Sequence, residues 1–191
     1  MRAVRVGTLG GPESLEIVEI DEPAADGGVV IDVHAAGVAF PDALLTRGLY
    51  QYRPELPFTL GAELAGVVRS APAGAHVKPG DRVLGLTMIG GAMAETAVLD
   101  AARVFPLPES VSFEAGAGLL FNDLTVYFAL TVRARLAKGE SVLVHGAAGG
   151  IDRHDMNHPL GQIDTHTHDP PSCNLAHGTS PFQLRLTFRS S

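Results

Sequence analysis

Ser141-Val-Leu-Val-His-Gly-Ala-Ala-Gly-Gly-Ile151 decides how the rest of the chain is read. A β-branched apolar run leads into a glycine-rich turn. The strand ends, the glycines permit a tight reversal, and small side chains let the backbone approach a pyrophosphate. A helix opening there would present its free N–H groups to phosphate oxygens. A nucleotide-binding βαβ unit begins in this way. Gly146, Ala147, Ala148, Gly149 and Gly150 are therefore candidate diphosphate-binding residues. The plainer use of such a turn is a strand-to-helix reversal with no ligand. Asp152 stands where a third small residue is wanted, and a carboxylate there repels a pyrophosphate unless it turns away.

The residues before this stretch support half of such a unit. Ser112 precedes Phe113, Glu114 and Ala115, the pattern of an N-cap opening a helix. Asn122 or Asp123 is expected to cap a second helix over residues 124–136. Its Leu124, Tyr127, Phe128 and Leu130 fall mostly on one face, with Arg133 and Arg135 near an end that favours cations. Lys138-Gly139-Glu140 then turns into the strand at 141–144. Helix, tight turn, buried-type strand and glycine turn make the first part of a Rossmann fold over residues 111–151.

Residues 1–110 have a different texture. Short β-prone runs are expected at 1–6, 15–20, 29–35, 63–70, 81–87 and 92–99. Gly10-Gly11-Pro12, Asp26-Gly27-Gly28, Ala73-Gly74 and Lys78-Pro79-Gly80-Asp81 separate several of them. A helical turn at 41–46 places Pro41 at its first position. Evenly spaced short strands with Gly/Pro turns predict a compact β-barrel.

Residues 152–191 break the pattern. They hold five of the eight histidines, the single cysteine Cys173, and Pro159, Pro170, Pro171 and Pro181. Only residues 182–188 look strand-like, and no second βα unit follows Gly150. His154 and His158 would share a helix face, and Asp164-Thr-His166-Thr-His168 resembles the metal-binding His-x-His of amidohydrolases. Such enzymes need a whole barrel for their remaining ligands, and too little chain follows. The tail is expected to be irregular, binding divalent metal at most loosely.

Bulk properties narrow the class. With 46% hydrophobic residues and positive mean hydropathy, the 191 residues can bury a core. A formal charge of −7 argues against a surface that tracks nucleic-acid phosphates. One cysteine excludes a disulfide framework and a multi-cysteine zinc site within the chain. No secretory h-region is evident, and no stretch approaches the ~20 apolar residues of a membrane span. A soluble, cytoplasmic protein with no membrane partner is the expectation.

Several segments then agree in order. They are Gly37-Val-Ala-Phe-Pro-Asp42, Arg47-Gly-Leu-Tyr50, Leu56-Pro-Phe-Thr-Leu-Gly-Ala-Glu-Leu-Ala-Gly-Val-Val68 and Lys78-Pro-Gly-Asp-Arg-Val83. Ala94-Glu95, Phe105-Pro-Leu-Pro108, Asn122-Asp-Leu-Thr125 and Val142-Leu-Val-His-Gly-Ala-Ala-Gly-Gly150 follow. Over residues 1–151 the chain resembles the zinc-independent quinone oxidoreductase branch of the medium-chain dehydrogenase/reductases. The resemblance implies a fold that is mainly β plus α/β. A GroES-like β-barrel over residues 1–110 would precede the start of a Rossmann NADPH-binding domain over 111–151, with the tail outside the family pattern. It also implies hydride transfer from NADPH to a quinone or enone.

Site residues follow from the same resemblance. Tyr50 lies where relatives place a tyrosine near nicotinamide and substrate, and its phenol could hydrogen-bond a carbonyl gaining negative charge. The plainer reading is an amphipathic surface tyrosine. Thr125 matches a threonine that faces the nicotinamide, and Asn122 belongs to the same motif, with Asp123 where a tyrosine is usual. Asp42 matches a family aspartate whose expected role is to fix the turn after Pro41. Zinc-dependent relatives have Cys at the position of Ala39 and His at that of Ala62. Neither alanine can ligate a metal, so no catalytic zinc is expected. Quinone reductases often carry asparagine where Ala39 stands. With no second βα unit, this chain alone is expected to be weakly active or inactive. The alternative is a non-enzymatic barrel module that dimerises or aggregates through an unpaired strand at 141–144.

Overall fold

The computed structural model describes residues 1–87, 90–138, 140–144, 172–174 and 185–189. Two compact units divide the chain, Met1–Phe121 and Asn122–Ser191.

The first unit is built from two antiparallel sheets. Strands β1 (Arg2–Val6), β2 (Leu15–Glu19) and β4 (Phe58–Thr59) form one, in the order β2-β1-β4. The other comprises β3 (Val29–Ala36), β5 (Glu63–Ser70), β6 (Arg82–Leu86), β7 (Thr96–Leu99) and β8 (Val104–Pro106), in the order β7-β3-β5-β6-β8. A bridge between Ala3 and Ala94 stitches the sheets together. The Val4 N–H adds a bond to the Met93 carbonyl at 2.9 Å. The short helix α1 (Phe40–Thr46) follows β3.

The core follows from strand alternation. Leu64 and Val68 on β5 join Val29 and Ile31 on β3, Val83 on β6 and Leu99 on β7 in the main cluster. Ala65 points the other way, into a second cluster with Leu84, Leu107 and Ala117. β5 is thus covered on both faces, which accounts for its unbroken apolar run Leu64-Ala65-Gly66-Val67-Val68. Val6, Leu45 and Leu60 form a third cluster beneath α1. By contrast, the Arg2–Glu95 ion pair lies at the exposed surface and contributes little to stability.

A register shift between Val33 and Ala35 leaves His34 as the extra residue of a β-bulge opposite Gly66 and Ala65. The bulged strand carries the His34 ring to Phe113, with centroids 4.4 Å apart. The Arg82 guanidinium also lies over Phe113, 4.2 Å from its centroid. Ser112 caps this helix as its sequence predicts, its Oγ accepting the Ala115 N–H at 3.2 Å. Helix α2 (Phe113–Gly116) therefore starts pinned to β3 and β6.

From there the helical backbone departs from expectation. Neither Asn122 nor Asp123 interrupts it, and the Asp123 backbone is helical at φ −68°, ψ −39°. A π-helical turn at Leu119–Asp123, helix α3 (Leu124–Tyr127) and a second π-helical turn at Phe128–Arg133 run on without a cap. Together Phe113–Arg133 make 21 residues with the length and composition of a membrane span, which the sequence had not suggested. The core helix of a soluble protein satisfies the same criteria.

In the second unit, the apolar residues of the helix differ in exposure, with Leu130 half-buried. Leu124, Tyr127 and Phe128 are exposed, Tyr127 at 62%, whereas Val126 and Ala129 are buried. Here β9 (Ser141–Val144) belongs to a three-stranded antiparallel sheet with β10 (Ser172–Asn174) and β11 (Arg185–Arg189), ordered β10-β11-β9. The strand at 141–144 is therefore not unpaired. Val142 faces Phe188 in register, so one edge of β9 is occupied by the strand-like run near the C-terminus.

Candidate functional site

The first unit gathers α1, the start of β5 and the strand segments beside them. Phe58 and Leu60 lead to Gly61, whose φ of 100° suits a residue without a side chain. The Thr87 hydroxyl donates to the Gly61 carbonyl at 2.9 Å and holds this turn against the end of β6. Ala39 and Ala62 offer no ligating atoms, and among the described residues no group of three His, Cys, Asp or Glu converges. Ala39 and Ala62 thus supply no metal donor at these two positions.

Asp42 sits beside this turn and is only 3% exposed. Its Oδ2 accepts the Ala39 N–H at 2.8 Å, while its own N–H donates to the Ala39 carbonyl at 3.0 Å. This is the reciprocal bonding of a helix start, with backbone groups of Ala39 in place of a capping side chain. Pro41 occupies the second helical position instead of the first, since the helix opens at Phe40. Burial pushes the Asp42 carboxyl above its ordinary range, and the Ala39 and Gly61 amides offset part of that rise. The raised value favours the folded state most below the unfolded pKa, and the contribution is lost as pH rises through the folded pKa. Asp42→Ala should lower stability by about 1 kcal/mol through the lost cap. The melting-temperature difference between wild type and this variant should shrink from about pH 4 towards neutrality. A difference that grows with pH would show that the carboxyl is not raised.

Tyr50 is half-buried, its ring packed on the cluster of Val6, Leu45 and Leu60 with Phe58 and Met93. Its body is thus held by the barrel core. Asn122 and Thr125 belong to the second unit, where three-residue spacing on the helix makes them neighbours, Asn122 half-buried and Thr125 exposed. Gly146, Ala147, Ala148, Gly149 and Gly150 lie outside the described residues, as do Asp152 and the histidines of the tail. A cavity of about 210 Å³ in the first unit, lined by Met1, Asp21, Thr59, Thr87, Gly91 and Thr96 among others, contains none of the predicted site residues.

Glu63 is the residue that sequence alone did not single out. It is 2% exposed, and its Oε2 accepts the Phe121 N–H at 2.8 Å across 58 positions of chain. The available signal was an acidic residue heading an otherwise apolar strand.

Residues 25–109 match the alcohol dehydrogenase GroES-like domain. The quinone oxidoreductase of Rattus norvegicus is 41% identical over 154 residues, covering 79% of this chain and 47% of the relative. The solved quinone oxidoreductase of Pseudomonas syringae pv. Tomato DC3000 superposes with a TM-score of 0.73 at 40% identity, over 79% of this chain and 47% of that one. That of Thermus thermophilus, also solved in complex with NADPH, gives 0.68 at 38% identity, over 80% and 48%. Over the residues they share, the chain is similar to the quinone oxidoreductase branch of the medium-chain dehydrogenase/reductases. It spans about half the length of these relatives.

Proposed function

We propose that the chain carries the substrate-side domain and the beginning of the cofactor domain of an NADPH-dependent quinone or enone reductase that works without zinc. The 41% identity to a quinone oxidoreductase over 79% of the chain carries this reading. The NADPH complex of the Thermus thermophilus relative supports the choice of cofactor. NADPH supplies the hydride when bound, and the protein orients it and excludes water. The turn at Gly146–Gly150 would take the diphosphate, with Asn122 and Thr125 towards the nicotinamide. The Tyr50 hydroxyl would donate to the acceptor carbonyl as negative charge develops. Ala39 and Ala62 support the absence of a catalytic zinc, since they leave two ligand positions without donors. A cytoplasmic location accompanies this reading.

Taken alone, the 191-residue chain is proposed to be weakly active or inactive. Fluorescence titration with NADPH should show weak binding, and NADPH absorbance should stay constant when a quinone is added. Micromolar binding with quinone-dependent NADPH oxidation would overturn the proposal of inactivity.

A further inference from the structure

We infer that Glu63 is a positioning residue, whose buried carboxylate holds the π-helical turn Leu119–Asp123 in place by accepting the Phe121 amide. An α-helical ladder would send the Phe121 N–H to the Ala117 carbonyl, four residues back. In the structure the Glu63 carboxyl accepts this amide, at 2.8 Å. A π-helical turn carries an extra residue, displaces the regular ladder and occurs mostly as a short insertion within helices, frequently at functional sites. The carboxylate stabilises such a turn from outside the helix.

Two further observations point the same way. Burying a carboxylate is costly unless hydrogen bonds compensate, so an apolar side chain would fill this space at lower cost. At 2% exposure, Glu63 carries that cost. Gly37 also leaves the space in which the carboxylate and the helix meet. A Cβ at Gly37 would stand 2.6 Å from both Cγ and Oε1 of Glu63, and would collide with the Ala117 carbonyl oxygen. The Gly37 N–H in turn donates to the Glu63 carbonyl at 3.0 Å, extending the β3–β5 ladder to this point. One glycine and one glutamate therefore dock the end of α2 on the sheet. The docking of Phe121 does not rest on the proposed cofactor role of Asn122 and Thr125.

The test uses the full chain with Glu63→Gln and Glu63→Leu. Amide hydrogen exchange is read by NMR at Phe121, with the Val68 amide, bonded to the Asp81 carbonyl at 2.9 Å, as a core reference. Glutamine keeps an acceptor oxygen and should preserve Phe121 protection to within about threefold. Leucine should lower it by about tenfold or more while Val68 stays within about threefold. Unchanged Phe121 protection in Glu63→Leu overturns the inference. So does equal loss at both amides, or an unprotected Phe121 in wild type. NADPH titration of the same proteins forms a separate arm. Weaker binding in Glu63→Leu with recovery in Glu63→Gln extends the role to the cofactor. No binding by wild type instead overturns the cofactor reading of Asn122 and Thr125, and the exchange data still decide the role of Glu63.

Discussion

Gly66→Ala should destabilise the first unit by about 3 kcal/mol or more, with loss of soluble folded protein as the extreme outcome. Gly66 lies near the middle of β5, paired with Val33 on one side and Val83 on the other. An added Cβ would overlap the Asp32 carbonyl oxygen and approach the Ile31 Cγ2 to 2.9 Å. The first obstacle is backbone, held between two strands, and it cannot rotate aside like the end of a side chain. The backbone of β3 approaches β5 closely at this point, and only a residue without a side chain accepts that approach. Chemical denaturation of wild type and variant, followed by circular dichroism, gives the difference directly. A loss below about 1 kcal/mol would mean that β3 can move away from β5, contrary to the packing described.

Gly37→Ala is expected to cost about 2–3 kcal/mol by a different route. The methyl group would collide with the Ala117 carbonyl oxygen at the end of α2 and lie 2.6 Å from the Glu63 side chain. Glu63 can change rotamer, but only by giving up the Phe121 amide. The helix end can move, but only by disturbing the cluster of Ala65, Leu84, Leu107 and Ala117. Exchange protection should therefore fall first at residues 117–121, with β5 and β6 retaining theirs. Uniform loss across the sheet would assign the cost to the β3–β5 ladder instead. The two glycine variants thus distinguish a clash within the sheet from one between sheet and helix.

Much of the first unit was legible from local chemistry. The run Glu63–Ser70 forms a strand with the bounds expected, because β-branched and apolar residues on both faces suit a central strand. The turns Ala73-Gly74 and Lys78-Pro79-Gly80-Asp81 separate it from β6, with Gly74 and Gly80 at φ of 83° and 92°. Ser112 was readable as a cap because its hydroxyl needs only a nearby amide. Two-residue β4 and three-residue β8 were not foreseen. Their pairing comes from strands far away in sequence, and so few residues carry no period of their own.

The candidate site divides in the same way. The local role of Asp42 follows from its place beside Pro41 at a helix start, and the structure shows the bond to Ala39. The Glu63–Phe121 bond spans 58 positions, and an acidic residue heading an apolar strand does not name its partner. The apolar face of Leu124, Tyr127, Phe128 and Leu130 was legible, but its exposure was not. Periodicity states that a face is apolar, but burial requires a surface to pack on.

By itself, the sequence determined the resemblance to quinone oxidoreductases, most strands of the first unit, the turns between several of them and the absence of donors at Ala39 and Ala62. These depend on side-chain type and near neighbours, so they survive without knowledge of the fold. The tertiary structure alone decided that β3 bulges at His34, that β9 pairs antiparallel with Arg185–Arg189, and that Glu63 holds the Phe121 amide. Each of these joins groups far apart in the chain, and their free energy depends on geometry that exists only once the sheet has formed.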